Sequence, residues 1–248
     1  MSWLHAFHRL LRRSGLFVAS TRYSGIRYLD HPPISAFDGV LLRIFPDLRE
    51  LNFIQIGAND GVQSDPIATY LNRYHWSGLM LEPLIGNFAR LQQLHGNNPR
   101  IILRQAALDV VAGRRVVYDL STAATADQPA WARGLGSFSR ERVAAAAAEL
   151  NLAADVLQSE EVECITWPQV WQEFGQRRCD LLVLDTEGYD ITLLRAADLA
   201  RHRPRLILFE HACVALPERM AFYEELVSLG YNLATFEGDT VASLTATE

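Results

Sequence analysis

Short apolar runs alternate with segments of helical periodicity from about Leu51 to the end of the chain. Runs such as LNFIQIG, GLMLEP, DLLVLD and RLILFEH are typical of strands buried on both faces of a parallel sheet. The segments between them, such as DPIATYLNRYH and PERMAFYEELVSLG, carry apolar residues at helical spacing. The pattern predicts an α/β fold with a doubly wound, mostly parallel sheet. The final YNLATFEGDTVASLTA predicts a hairpin, and therefore an antiparallel C-terminal edge strand.

Two segments do not follow this alternation. Within residues 1–50, MSWLHAFHRLLRRSGLF predicts a basic amphipathic helix that ends at Gly15, followed by a turn-rich connector. Such a helix docks on its own domain, docks on a second subunit in a homodimer, or makes peripheral contact with an anionic membrane surface. Residues 120–160 combine a loop with an alanine-rich helix, and we interpret them as a lobe inserted into a second domain of residues 51–248.

Composition and charge exclude several classes of protein. The net charge is −6 and the sequence pI is about 5.7, which argues against a general nucleic-acid binder. Cys164, Cys179 and Cys213 match neither a disulfide framework nor a zinc site, so we expect free thiols in a reducing compartment. The sequence has no apolar run long enough for a transmembrane segment and no secretory signal pattern, which predicts a cytoplasmic protein.

The turn after the first predicted strand is the first candidate binding site. Gly57 and Gly61 enclose Asn59 and Asp60, and the turn matches neither the dinucleotide fingerprint nor the phosphate loop. Glycines allow a ligand to approach the backbone closely. The carboxylate of Asp60 would repel a pyrophosphate but suits an ammonium group. Asp65 either caps the helix that follows or reaches the same ammonium group.

A second acidic residue follows the next predicted strand. Glu82 ends GLMLEP, where a carboxylate can accept hydrogen bonds from ribose hydroxyls. Ala107 and Leu108, at the end of the predicted third strand RIILRQAAL, are placed to line an adenine. A ligand with a ribose and an amino-acid ammonium group, but without phosphate, describes S-adenosylmethionine.

The motifs FIQIGANDGVQSDPI, GLMLEP, DLLVLDTEGYD and LILFE stand in an order and spacing that resembles the FkbM family of S-adenosylmethionine-dependent methyltransferases. The resemblance extends from about Asn52 to Phe236. It implies a Rossmann-like methyltransferase fold with a seven-stranded sheet. It also implies O-methylation of a hydroxyl on a sugar, a glycan or a natural-product metabolite. The N-terminal helix and the inserted lobe lie outside these motifs.

The remaining charged strand ends are candidates for catalysis. Asp185 and Glu187 follow the strand DLLVL, and Glu210 and His211 follow the strand RLILF. His211, oriented by a carboxylate, would act as the general base that accepts the hydroxyl proton. In the alternative, Asp185 and Glu210 bind Mg²⁺, which would lower the pKa of the acceptor hydroxyl. Asp190 either takes part in this cluster or caps the next helix.

Three functions remain open at this stage. The first is an S-adenosylmethionine-dependent O-methyltransferase, in which the lobe loop that contains Ser137 closes over the acceptor. In this loop, Trp131 and Phe138 either stack on a sugar face or hold the lobe on the domain. The second is a non-catalytic binding or assembly module that keeps the fold and is held at a membrane by its N-terminal helix. The third is a nicotinamide-dependent oxidoreductase, which Asp60 and the absence of a third glycine disfavour.

Overall fold

The computed structural model describes residues 36–244, apart from residues 64, 130, 131, 176 and 237. The predicted N-terminal helix and Trp131 lie outside the described residues. The chain divides into two compact units, residues 1–48 and residues 49–248. No helix among the described residues is both long enough and apolar enough to cross a membrane.

The described part of the first unit contains the helix α1, Ala36–Ile44. The strands all belong to the second unit, and they are β1 Asn52–Ile56, β2 Ser77–Leu81, β3 Ile101–Arg104, β4 Ala107–Leu108, β5 Gly113–Leu120, β6 Leu157–Ile165, β7 Leu181–Leu184, β8 Leu206–Glu210, β9 Asn232–Phe236 and β10 Asp239–Ser243. The helices of this unit are α2 Ala68–Arg73, α3 Ile85–His95, α4 Thr122–Thr125, α5 Arg140–Glu149, α6 Trp167–Phe174, α7 Asp190–Ala196, α8 Leu199–His202 and α9 Leu216–Ser228.

Seven strands form one sheet in the order β3-β2-β1-β7-β8-β10-β9. Neighbouring strands are parallel from β3 to β8, whereas β10 runs antiparallel to both β8 and β9. The predicted α/β, doubly wound and mostly parallel seven-stranded sheet is therefore confirmed. Its antiparallel pairing lies at the C-terminal end of the sheet, where β10 separates β8 from the edge strand β9.

The apolar strands are buried because helices pack against the sheet. Residues of β1, β2, β7 and β8 share one hydrophobic cluster with residues of α6, α7 and α9. Ile56, Leu184 and Phe209 are pairing partners across three of these strands, and each is at most 2% exposed. Burial of such side chains stabilises a fold by about 1.5–3 kcal/mol each. This core fixes the strand ends at which the polar residues lie.

The lobe predicted over residues 120–160 extends over residues 107–165, because it contains a second sheet of three strands in the order β4-β6-β5. The predicted third strand RIILRQAAL is not continuous, because β3 ends at Arg104 and β4 begins at Ala107 in the second sheet. Between them the amide of Ala106 donates to the carbonyl of Arg104 in a tight turn, 3.1 Å. The chain thus leaves the large sheet beside the end of β2 and enters the lobe.

Candidate active site

A cavity lies along the carboxyl ends of the strands, as expected for open α/β sheets. Five strand ends contribute to its lining, and in sheet order from β2 to β10 they carry Glu82, Gly57, Asp185, Glu210 and Asp239. Neighbouring strands lie about 4.8 Å apart, so four spacings separate β2 from β10 by roughly 19 Å. The lining residues of the cavity therefore extend across five neighbouring strand ends.

Gly57 joins the first strand to the cavity loop and has φ 79°, a left-handed conformation. A Cβ atom at this position would overlap the backbone carbonyl of Asp185, so only glycine permits this approach of the two strand ends. The amides of Gly57 and Ala58 both donate to the carbonyl of Leu81, at 3.0 and 2.9 Å. Predicted as a cofactor contact, Gly57 does line the cavity.

Glu82 is bound to the same loop. Its Oε2 accepts a hydrogen bond from the amide of Asn59 at 2.9 Å, and its Oε1 accepts one from the amide of Leu84 at 3.0 Å. Only 4% of Glu82 is exposed, and burial raises the pKa of its carboxyl group to about 7 in spite of these bonds. Both Asn59 and Glu82 line the cavity, where the sequence places them.

Asp60 and Gly61, which we predicted to bind the cofactor, are not among the residues that line this cavity. The Oδ1 of Asp60 accepts from the amides of Val62 and Gln63, at 3.0 and 2.8 Å, and therefore closes the turn. A Cβ atom on Gly61 would lie 2.7 Å from the side chain of Leu91 on α3. The geometry thus gives Asp60 and Gly61 a structural role in the loop and argues against cofactor contact.

In the loop between β1 and α2, Asp65 is the acidic residue that lines the cavity. Helix α2 begins at Ala68, so Asp65 is not its N-cap, although its Oδ1 accepts from the amide of Ile67 at 2.8 Å. Its Oδ2 and the Oε1 of Gln55 are buried, and neither has a hydrogen-bond partner among the described residues. Burial raises the pKa of Asp65 to about 6. Two acceptor oxygens without donors on one cavity wall indicate a site for a donor group of a ligand.

Ala107 and Leu108 line the cavity from the lobe rather than from the large sheet. They pair with Cys164 and Ile165 of β6, and both are buried. The sequence therefore identified the two residues correctly as cavity wall but assigned them to the wrong sheet.

The acidic residues that follow β7 and β8 form the other end of the cavity. Asp185, Glu187 and Glu210 all line it. Asp185 keeps exposed surface within the cavity, yet the surrounding protein displaces water and neighbouring acidic groups repel its charge. Both effects raise the pKa of Asp185 well above its ordinary value. Desolvation, followed by the charges of Glu187 and Asp190, raises the pKa of Glu210 to about 7.

Arg142, on α5 of the lobe, supplies positive charge to this acidic end. Its Nη2 donates to the Oε2 of Glu187 at 2.8 Å and lies 4.0 Å from the Oε1 of Glu210. Among the described residues, the acidic and thiol groups close enough to share one cation are Glu187, Glu210 and Cys213, with their ligand atoms within 4.8 Å of one another. Asp185, predicted as a metal ligand with Glu210, does not belong to this group.

His211 does not line the cavity. It is 6% exposed, and its Nδ1 lies 2.9 Å from the Oγ1 of Thr240 on β10. Burial lowers the pKa of His211, which favours the neutral ring. This position argues against His211 as the base in this cavity and gives it a role in joining β8 to the hairpin.

Asp190 is the first residue of α7 and is fully buried. Its Oδ2 accepts from the hydroxyl of Thr186 at 2.7 Å, and its Oδ1 accepts from the amide of Glu210 at 3.4 Å. Asp190 thus holds the loop after β7 against the end of β8 and does not line the cavity.

Several lining residues were not identified from the sequence as site residues. Tyr189 donates its hydroxyl to Asp109 at 2.9 Å, and its ring packs edge-to-face on Phe138 of the lobe. Arg133 and Gly134 line the cavity from a lobe loop. The glycines of GLGS are the one local signal for this loop, because they permit close packing on the cavity.

The strand order, with a reversed strand beside the last, and the ligand cavity at the carboxyl ends define a Rossmann-like protein of the methyltransferase class. The match to a family model is consistent with this class. The model described as "Methyltransferase FkbM domain" matches residues 55–232. The chain belongs to the FkbM family of S-adenosylmethionine-dependent methyltransferases.

Solved structures of methyltransferases are similar at low identity. A methyltransferase FkbM from Methylobacillus flagellatus KT is 12% identical with a TM-score of 0.46, and the match covers 79% of this chain and 44% of that one. This chain therefore spans less than half of that protein. An O-methyltransferase from Bacillus cereus in complex with SAH is 12% identical with a TM-score of 0.42, and the match covers 96% and 97% of the two chains.

A precorrin-6y C5,15-methyltransferase from Geobacter metallireducens GS-15 is also 12% identical, with a TM-score of 0.42 and coverage of 84% and 87%. A comparison with curated proteins finds no match.

Proposed function

We propose that this protein is an S-adenosylmethionine-dependent O-methyltransferase that methylates a hydroxyl of a sugar, a glycan or a natural-product metabolite. The observation that carries the cofactor assignment is the pair of buried acceptor oxygens, Gln55 Oε1 and Asp65 Oδ2. An ammonium group offers three donors to these oxygens, whereas the pyrophosphate of a dinucleotide offers none. The residues of the cavity therefore fit S-adenosylmethionine.

The other cavity residues divide between the parts of this cofactor. The Oε2 of Glu82 accepts one backbone amide and keeps a further lone pair for a ribose hydroxyl, whereas its Oε1 accepts from the amide of Leu84 and, at 3.4 Å, from the side chain of Asn87. Ala107 and Leu108 offer an apolar wall for the adenine. Gly57 and Asn59 bring the backbone close to the methionine part, and Asp65 binds its ammonium group.

The acidic end of the cavity is suited to activate a hydroxyl. When bound, S-adenosylmethionine supplies an electrophilic methyl group. The acceptor oxygen must lose its proton as its bond to that methyl group forms, and a base with a pKa near the working pH is best suited to take it. Glu210, with a pKa of about 7, meets this requirement, and Asp185 on the adjacent strand adds a second carboxylate whose pKa is raised. We propose that this pair of carboxyl groups accepts the proton of the acceptor hydroxyl.

The charge of this end also limits the acceptor. Four carboxyl groups line it, those of Asp185, Glu187, Glu210 and Asp239. They favour neutral or cationic hydroxyl compounds and repel phosphorylated ones. Arg142 already supplies a positive charge to Glu187, so we propose that transfer does not require Mg²⁺ and that the enzyme retains its activity in a chelator.

Two matched variants test the cofactor assignment. Asp60→Asn and Asp65→Asn make the same chemical change on the loop side and on the cavity side. By calorimetry, we expect S-adenosylmethionine to bind to the wild type and to Asp60→Asn alike. Loss of an ionic hydrogen bond in Asp65→Asn should weaken binding about 10-fold to 100-fold.

Acceptor activity is then measured with labelled S-adenosylmethionine and paired neutral and phosphorylated sugars, with and without a chelator. Failure of folded wild-type protein to bind S-adenosylmethionine would contradict the proposal and favour the non-catalytic module. Preference for the phosphorylated sugars would contradict the proposed acceptor class.

A further inference from the structure

One segment of the lobe contacts both ends of the cavity. We call residues 133–142 the strap. At its start, the carbonyl of Arg133 accepts from the side-chain amides of Asn59 and Gln63, both at 3.3 Å. Gly134 lies so close that a Cβ atom there would overlap the side chain of Asn59. The start of the strap therefore rests on the loop that also donates to Glu82.

The end of the strap holds Glu187. The Oγ of Ser137 donates to the carbonyl of Glu187 at 3.5 Å, and Arg142 donates to its carboxylate at 2.8 Å. Between these residues, the ring of Phe138 contacts that of Tyr189, two positions after Glu187. Backbone and side chain of Glu187 are thus both bound by the strap.

Glu187 has a backbone conformation that requires such support. Its φ is 54°, in the left-handed region, and it precedes Gly188 with φ 94°. A non-glycine residue in this region costs of order 1–2 kcal/mol, and such conformations persist when surrounding contacts impose them. The residue also carries its charge beside Glu210, so Arg142 offsets a repulsion that would otherwise move the loop.

The pair between Arg142 and Glu187 is not needed to hold the lobe on the domain. Leu108 of β4 and Ile165 of β6 belong to the core cluster of the large sheet, and Arg142 is partly exposed, where an ion pair contributes little to the stability of the whole fold. The ion pair between Arg142 and Glu187 therefore acts locally, on the conformation of the acidic loop.

We propose that Arg142 is a positioning residue through which the strap couples the cofactor loop at Asn59 to the acidic loop, residues 185–190. With the strap closed on Asn59, Arg142 holds Glu187 and the acidic loop in place for the acceptor. The proposal rests on the proposed function only in taking the ligand at Asn59 to be S-adenosylmethionine.

Hydrogen exchange on the full chain tests the link without any ligand. In Arg142→Ala, the amides of residues 186–190 should exchange about tenfold faster than in the wild type, since one ionic hydrogen bond is lost. Arg140→Ala removes an exposed arginine from the first position of the same helix and should leave this exchange unchanged. Equal exchange of residues 186–190 in the wild type and in Arg142→Ala would overturn the proposal.

S-adenosylhomocysteine then tests the transmission. We expect it to slow exchange in residues 133–137 of the wild type and of Arg142→Ala. It should slow exchange in residues 186–190 of the wild type and of Arg142→Lys, but not of Arg142→Ala. Protection of residues 186–190 in Arg142→Ala equal to that in the wild type would overturn the proposal. Absence of binding to the wild type would instead overturn the proposed function, while the ligand-free comparison would still decide the role of Arg142.

Discussion

At the scale of single residues, burial strongly affects the carboxyl group of Glu82. Its carboxylate has two backbone donors, yet it lies among protein atoms that replace water, and its pKa rises to about 7 from an ordinary value of 4.5. A group of this kind lowers stability where it must ionise in the folded state. Glu82 therefore lowers the free energy of unfolding of the ligand-free protein. A buried acid that destabilises the fold in this way indicates a role in ligand binding.

This cost predicts a dependence of stability on pH. Between pH 4.5 and about 7 the folded protein binds more protons at Glu82 than the unfolded chain does, so its contribution makes the free energy of unfolding fall as pH rises. The full effect is at most about 3 kcal/mol. Glu82→Gln should flatten this fall in urea unfolding at pH 5, 6 and 7, with the exposed Glu149→Gln as control. An unchanged slope in Glu82→Gln would show that the carboxyl group ionises normally in the fold.

The residue scale also shows what sequence can identify. Gly57, Asn59 and Glu82 line the cavity as predicted, because a glycine or an acid directly at a strand end has little freedom of position. Asp65 lines the cavity and Asp60 does not, because of the direction of the turn between them. That direction depends on contacts such as that of Gly61 with Leu91 on α3, which the local sequence does not contain.

At the scale of elements, the lobe is the part of the fold that could be predicted least well from the sequence. The break between β3 and β4 follows from the pairing of Ala107 with Cys164, a residue far along the chain. The apolar pattern of RIILRQAAL continues through the break, so periodicity alone could not locate it. For the same reason, Arg142 is one of many exposed-looking arginines in the sequence, and only the fold brings it to Glu187.

A second contact between the lobe and the acidic loop joins Asp109 to Tyr189 and is supported by Arg115. We predict that replacing Arg115 lowers the stability of the fold at neutral pH. Burial alone would raise the pKa of Asp109, but hydrogen bonds from Arg115, at 2.8 Å, and from Tyr189 outweigh it and lower that pKa. Arg115 also lies over the ring of Phe138, 3.8 Å from its centre. Arg115→Met should therefore cost about 1–2 kcal/mol, because the remaining charge of Asp109 is buried.

The sign of its pH dependence distinguishes this charge effect from lost packing. A lowered pKa contributes stability above the ordinary value of 3.8, and that contribution is lost as pH falls through the folded pKa. The deficit of Arg115→Met, measured by urea unfolding, should therefore shrink as pH falls below about 4. A deficit that is constant with pH would assign the effect to packing on Phe138 instead.

At the scale of the whole molecule, the alternation of strands and helices predicts a parallel sheet covered by helices on both faces. The sequence could thus predict the sheet and the edge at which the ligand site lies. It could not predict the placement of β10 between β8 and β9, since a hairpin can join a sheet by either of its strands. Tertiary packing decides which one.

The described residues that line the cavity all lie between Gln55 and Asp239, within the second compact unit. We therefore predict that a fragment of residues 49–248 binds S-adenosylhomocysteine within about twofold of the full chain, because it retains every described residue that lines the cavity. Calorimetry measures this, and a cooperative urea transition shows that the fragment is folded. If the fragment does not fold, Trp3→Ser with Phe7→Ser in the full chain makes the same comparison. A folded fragment that binds at least tenfold more weakly would place part of the cofactor site's support in residues 1–48.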